Sequence, residues 1–231
     1  MLALVFWRVA PAHNFIALHP GKPERQQEVT IMQTNETNSL KKTKALVGMA
    51  IFTAIVVVLQ LLAGSIKIGP FSPSLVLIPI VIGAATYGAA AGGWLGLVFG
   101  LVVLIACIGG ADVGGNLMWN FNPFMTAVIC LVKGGLAGLL SGLVFRLLEK
   151  KNQIVATVAA AIVCPVVNTG LFCIGAVLAF RPLLEQWAGG ADLLSYIFLG
   201  LIGVNFLIEM GINVVLSPIV VRILKIRKIG A

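Results

Sequence analysis

The chain has 231 residues, of which 59% are hydrophobic and only 10% charged, with a mean hydropathy of +1.05. Soluble domains carry about 25% charged residues, and a core of this size would not hide so much apolar surface from water, so a cytosolic enzyme and a disordered chain are excluded. The formal net charge of +8 sits at the ends of apolar runs, where it orients helices in a bilayer; a nucleic-acid-binding module is excluded on that ground.

Residues 1–31 differ from the rest. They hold both histidines, His13 and His19, and a short apolar start interrupted by Arg8, which suits neither a signal peptide nor a span of about 20 residues. The codons of Gln27-Glu28-Val29 can contain a ribosome-binding sequence shortly before the Met32 codon. The expectation is that 1–31 is a non-native extension and that translation starts at Met32. Residues 32–44 are expected to form a basic cytoplasmic lead-in, 45–221 the membrane domain, and 222–231 a basic cytoplasmic tail.

The first apolar run covers 45–64. Residues 68–111 carry no charge at all; as one helix they would reach about twice the ~30 Å hydrocarbon thickness, so they must fold back. The small residues at 87–93 are the natural place, giving spans at 74–87 and 91–108. A fourth run, 123–148, ends in Glu149-Lys150-Lys151, a fifth, 154–180, at Arg181-Pro182, and a sixth, 193–221, before Arg222. The expected fold is an all-α integral membrane protein with six transmembrane helices.

Basic residues beside the spans set the orientation. With the amino end inside, the cytoplasmic side holds Lys41, Lys42, Lys44, Arg146, Lys150, Lys151, Arg222, Lys225, Arg227 and Lys228, against Lys67 and Arg181 outside. Both termini are therefore expected in the cytoplasm. The outer connections (65–73, 109–122 and 181–192) are the longer ones, and long loops on one face commonly carry binding.

Small residues recur every fourth position: Ala50 and Ala54, then Gly92, Gly96 and Gly100, then Gly134, Gly138 and Gly142. Such spacing lets helix backbones approach closely in lipid. The glycine series reads as intramolecular packing, whereas the alanine pair lies on an edge helix able to dock a partner.

Charged side chains at membrane depth are expensive, and Lys133 and Glu209 are the two clear cases. Lys133, Asn168 and Glu209 fall at similar depths, and Asn205, Glu209 and Asn213 line one helical face by their four-residue spacing. That face must turn away from lipid. Two readings are open: a Lys133–Glu209 ion pair holding the bundle, or polar groups bordering a ligand pocket between the fourth, fifth and sixth helices. Asn116, Trp119, Asn120 and Asn122 cluster in the second outer connection, with Trp119 either an interfacial anchor or part of a lid.

No histidine follows Met32, and neither GxxxxGK[ST] nor GxSxG occurs, so histidine triads, phosphate-loop ATP hydrolysis and nucleophile-elbow chemistry are absent. The cysteines Cys107, Cys130, Cys164 and Cys173 lie in apolar runs without a CxxC pair and read as small buried hydrophobes. No metal or cofactor is expected, and binding and passage fit better than bond chemistry.

The basic Lys41-Lys42-Thr43-Lys44 lead-in, the AxxxA of Ala50 and Ala54, six spans, and the run 77–84 followed by Tyr87-Gly88-Ala89-Ala90-Ala91-Gly92 resemble the substrate-binding S components of energy-coupling factor (ECF) vitamin transporters, in the riboflavin, pantothenate and folate branch. Relatives often have proline where this chain has Ala89 or Ala90. The resemblance covers about residues 41–228. It implies a multi-pass protein of a prokaryotic plasma membrane that captures a vitamin or related micronutrient outside. It also implies docking through Ala50 and Ala54 on a membrane coupling subunit that carries two ATPases, with no ATPase of its own. The pocket would draw on Lys133, Asn168, Asn205 and Glu209, with Asn116 and Asn120 from the second outer connection. The competing readings are a self-sufficient proton-coupled secondary transporter using Glu209, or a non-transporting membrane scaffold.

Overall fold

The computed structural model describes residues 24–63, 76–197 and 203–229, with side chains from residue 39 onward except at 41, 194, 204, 205 and beyond 223. Most of the expected extension 1–31, the first outer connection with Lys67, and the side chain of Asn205 therefore lie outside the described residues. The chain divides into two units, Met1–Lys44 and Ala45–Ala231. In the first, the described part is helical, and Thr43 donates its hydroxyl to the Ser39 carbonyl at 3.0 Å.

The described residues of the second unit form helices joined by short turns: α1 (Glu24–Ala63, whose later part belongs here), α2 (Leu77–Tyr87), α3 (Ala89–Ile108), α4 (Val113–Phe121), α5 (Pro123–Leu148), α6 (Gln153–Ala188), a single turn at Leu193–Ser195, and α7 (Val204–Ile229). Among the described residues, five stretches are long and apolar enough to cross a bilayer: Lys42–Ala63, Ala89–Ile108, Pro123–Leu148, Gln153–Ala188 and Phe206–Ile223. At 11 residues, α2 reaches only about half the hydrocarbon thickness.

The fold-back between α2 and α3 takes one residue. Gly88 sits at φ 102°, ψ 173°, a conformation essentially restricted to glycine, and a Cβ there would also run into the Arg146 guanidinium. From this turn α3 runs antiparallel to α5 at backbone contact. A Cβ on Gly92 would strike the Gly138 carbonyl, one on Gly96 the Gly134 carbonyl, and one on Gly100 the Cys130 carbonyl. The paired numbers descend on one helix as they climb on the other, so the three steps form one antiparallel seam. In lipid this close approach replaces the hydrophobic drive between helices.

Asparagine caps start two of the long helices. Asn122 accepts from the Met125 N–H ahead of α5, with Pro123 in the first helical turn, and Asn152 accepts from the N–H groups of Ile154 and Val155 ahead of α6. These satisfy donors that have no helical partner. The α6 helix bends at Phe180, whose φ −130° and ψ 21° leave the helical range two residues before Pro182. The proline ring and missing N–H break the ladder there. Helix then resumes to Ala188, supported by the Arg181–Glu185 pair at 2.9 Å, so the expected outer connection 181–192 is largely helical. The connection 109–122 likewise folds as α4, because Asp112 caps it.

The core of this unit joins α1 through Val56, α2 through Leu77 and Ile80, α3 through Leu95 and Phe99, α5 through Ala137 and Phe145, α6 through Ala160 and Cys164, and α7 through Val220. Phe52 of α1 meets Tyr87 of α2 edge to face at 6.1 Å. Outside that core, Leu178 is 80% exposed and Val215 73%. A belt of large apolar side chains bare to this extent is stable only in hydrocarbon. The protein is a multi-pass membrane protein.

Candidate functional site

A short helix pinned at both ends closes one end of the bundle. After α3 ends, Gly110 takes φ 77° and Asp112 caps α4, its Oδ1 accepting from the Gly115 N–H at 2.8 Å. The other end stops at Asn122. Between them, α4 packs on α3, α5 and α6. Asn116 donates from Nδ2 to the Cys107 carbonyl at 2.8 Å, one of the last carbonyls of α3, and Asn120 donates to Asn116 Oδ1 at 3.2 Å. Of these two expected site residues, Asn116 ties the roof to α3 and Asn120 bonds within the roof itself; neither lines the space beneath it.

That space is a cavity of about 30 Å³, room for a water molecule or two. Its polar wall consists of Lys133 and Thr126 from α5 and Asp112 from α4, with the Cys107 and Cys130 thiols and the Phe172 ring beside them. Thr126, Cys130 and Lys133 share a face of α5 by their spacing of four and three. The Lys133 ammonium lies 5.0 Å from the centroid of the Phe172 ring, within the range of cation–π attraction. The Thr126 hydroxyl donates to the Asn122 carbonyl at 2.9 Å. Gly115 brings the lid backbone down onto Cys107; a Cβ at 115 would collide with its sulfur.

The other expected polar groups with described side chains are not part of the cavity wall, although Asn168 lies one turn from Phe172 on α6. Glu209, Asn213 and Asn168 are all buried, as the cost of polar groups in lipid requires, but none lines the cavity. Asn213 donates from Nδ2 to the Glu209 carbonyl at 2.8 Å. Glu209 lies within electrostatic reach of Cys164, which is one turn from Asn168 on α6. The Oδ1 atoms of Asn168 and Asn213 have no hydrogen-bond partner among the described residues. Depth estimated from the sequence put Lys133 and Glu209 level; Lys133 lines the cavity and Glu209 does not.

Reasoning from sequence missed Asp112, Thr126 and Phe172. Two of them left a signal. Asp112 is the one acid in the long uncharged region that reaches to Lys133, and Thr126 lies on the Lys133 face of its helix. Phe172 left none, because nothing local marks which aromatic of α6 turns towards α5. On α1, Ala50 and Ala54 are exposed, on the side that also bares Val47, Val58 and Leu61.

A bundle of apolar helices with a small hollow under a short helix at one end defines a multi-pass membrane protein. The chain belongs to the family of ECF transporter substrate-specific components, which matches residues 44–221. Over 198 residues it is 29% identical to the pantothenic acid transporter PanT of Lactococcus lactis subsp. cremoris (strain MG1363), a match that covers 79% of this chain and 95% of that relative. No solved structure matches the chain. Membership of this family makes the chain the substrate-binding subunit of an ECF transporter and implies a transported substrate and an ECF module as partners.

Proposed function

We propose that the chain captures the vitamin pantothenate, or a closely related small carboxylate, and delivers it inwards together with an ATPase-bearing ECF module. The observation that carries this reading is Lys133 in the cavity under α4, beside Phe172 and Thr126: a cation for a carboxylate, next to an apolar wall and a hydroxyl. The pantothenate transporter among its relatives supports the same ligand. In this reading the cavity opens when α4 lifts, Asn116 and Asn120 steady the lid, and Asn168, Asn205 and Glu209 form the inner wall of the enlarged pocket. The buried, unpartnered Oδ1 of Asn168 supports that inner wall, since such an acceptor is costly until a donor reaches it.

The reading includes six spans, with α2 as the short second one, and both termini in the cytoplasm; the basic residues around α1 and at the α5–α6 turn support it. ATP hydrolysis belongs to the partner subunits. Docking on the coupling subunit uses the exposed Ala50–Ala54 side of α1. The test is calorimetric titration of the purified protein with pantothenate, riboflavin, folate and biotin. Binding of pantothenate alone, without ATP, is the expected result. Selective binding of another vitamin would replace the ligand, and transport by the protein alone in liposomes would replace the mechanism.

A further inference from the structure

The cavity holds one charge that the proposed function leaves unused. Lys133 stands on α5, a long helix locked to α3 by backbone contact, so it belongs to the fixed wall. Asp112 lines the same cavity but caps α4, so it belongs to the lid. No direct ion pair joins the two among the described residues; the cavity lies between opposite charges, one fixed and one carried by the element that must move. The lid has a natural pivot at Gly109–Gly110, where Gly110 takes a positive φ. Between half-buried groups, opposite charges attract more strongly than in bulk water.

We propose that Asp112 is a lid-borne counter-ion of Lys133. Its attraction holds α4 down over the cation when no carboxylate is bound there, and it competes with the ligand's own carboxylate for that cation. An incoming anion that reaches Lys133 supplies the counter-charge itself and repels Asp112, so binding is coupled to movement of α4. Asp112 thereby sets how strongly the pocket favours anions. The anionic part of this proposal rests on the pantothenate reading; the attraction holding the lid does not.

Asp112→Asn isolates the charge, because asparagine caps a helix as well as aspartate does. The first readout is alkylation of Cys107, on which Gly115 of the lid rests, by a water-soluble maleimide. It is measured without pantothenate, in full-length protein whose Cys130, Cys164 and Cys173 are replaced by alanine. Asp112→Asn and Lys133→Met should each raise the rate about 3- to 10-fold, the weight of one partly screened charge pair. The second readout is affinity: Asp112→Asn should lower the Kd for pantothenate by a similar factor and leave unchanged the Kd for its neutral alcohol analogue, in which CH2OH replaces the carboxylate. Unchanged labelling overturns the proposal by reducing Asp112 to a helix cap, and weaker pantothenate binding overturns it by making Asp112 a ligand acceptor. If the parent protein binds neither compound, the pantothenate reading fails and the labelling rates alone decide the role of Asp112.

Discussion

Gly96 and Gly134 touch backbone to backbone: a Cβ on either would collide with the other's carbonyl. This contact and its neighbours at Gly92–Gly138 and Gly100–Cys130 fix the rotation of α5 against α3, and so decide which face of α5 looks into the cavity. Thr126, Cys130 and Lys133 line it because these glycines hold the helix in that register.

Gly96→Ala should therefore destabilise the protein by about 1–3 kcal/mol, the usual cost of overpacking a tight contact. Gly170→Ala, on α6 with nothing within 4 Å of the added methyl, should be neutral or stabilise by up to about 1 kcal/mol through helix propensity. Thermal unfolding in detergent distinguishes them; equal shifts would mean that the seam does not carry the packing.

Replacing Lys133 by methionine keeps the length and apolar stem of the side chain but removes its charge. The Kd for pantothenate should rise about 10- to 100-fold, as expected for the loss of a charged hydrogen bond, and Lys133→Arg should recover part of it. Titration calorimetry provides the measurement. Glu209→Gln, in the proposed inner wall, should weaken binding more than Leu207→Val at the exposed position two residues away. Equal effects of those two variants would return Glu209 to a purely structural role.

The small-residue side of α1 is remote from ligand chemistry in this reading. Ala50→Trp or Ala54→Trp should abolish pantothenate uptake by cells that supply the ECF module, while the purified variants keep the parent affinity. Loss of affinity together with uptake would move these alanines from docking to folding.

Asn116→Ala removes the hydrogen bond that holds the lid to the end of α3. A cost of about 1 kcal/mol is expected, the net value of one such bond, appearing as faster release of ligand. The preference for pantothenate over its alcohol analogue should stay the same, because Asn116 does not line the cavity. A changed preference would make Asn116 a ligand contact.

The spans were legible because the bilayer penalises charge in one dimension. The fourth, expected at 123–148, is observed as Pro123–Leu148, bounded by the Asn122-Pro123 cap signal and by Glu149 with its lysines. The fold-back before α3 and the break at Phe180 were readable for a similar reason, since glycine and proline act on the backbone locally. The two long connections were misjudged as loops, because the capping of α4 by Asp112 and the Arg181–Glu185 support of α6 are local features set among glycine and proline that read as breakers.

What the sequence alone determined was the solvent of this protein, the position of most of its helices and the rarity of charge inside them, all of which follow from transfer energies and backbone preferences of neighbouring residues. The tertiary structure decided which side chains line the cavity. Depth counted along each helix put Lys133 and Glu209 level and left open whether they pair, because depth contains no rotation. Rotation comes from the α3–α5 glycine seam and from the lid folded over it, and these bring Lys133 to Phe172 and Asp112, groups from separate elements that only packing in three dimensions can place around one cavity.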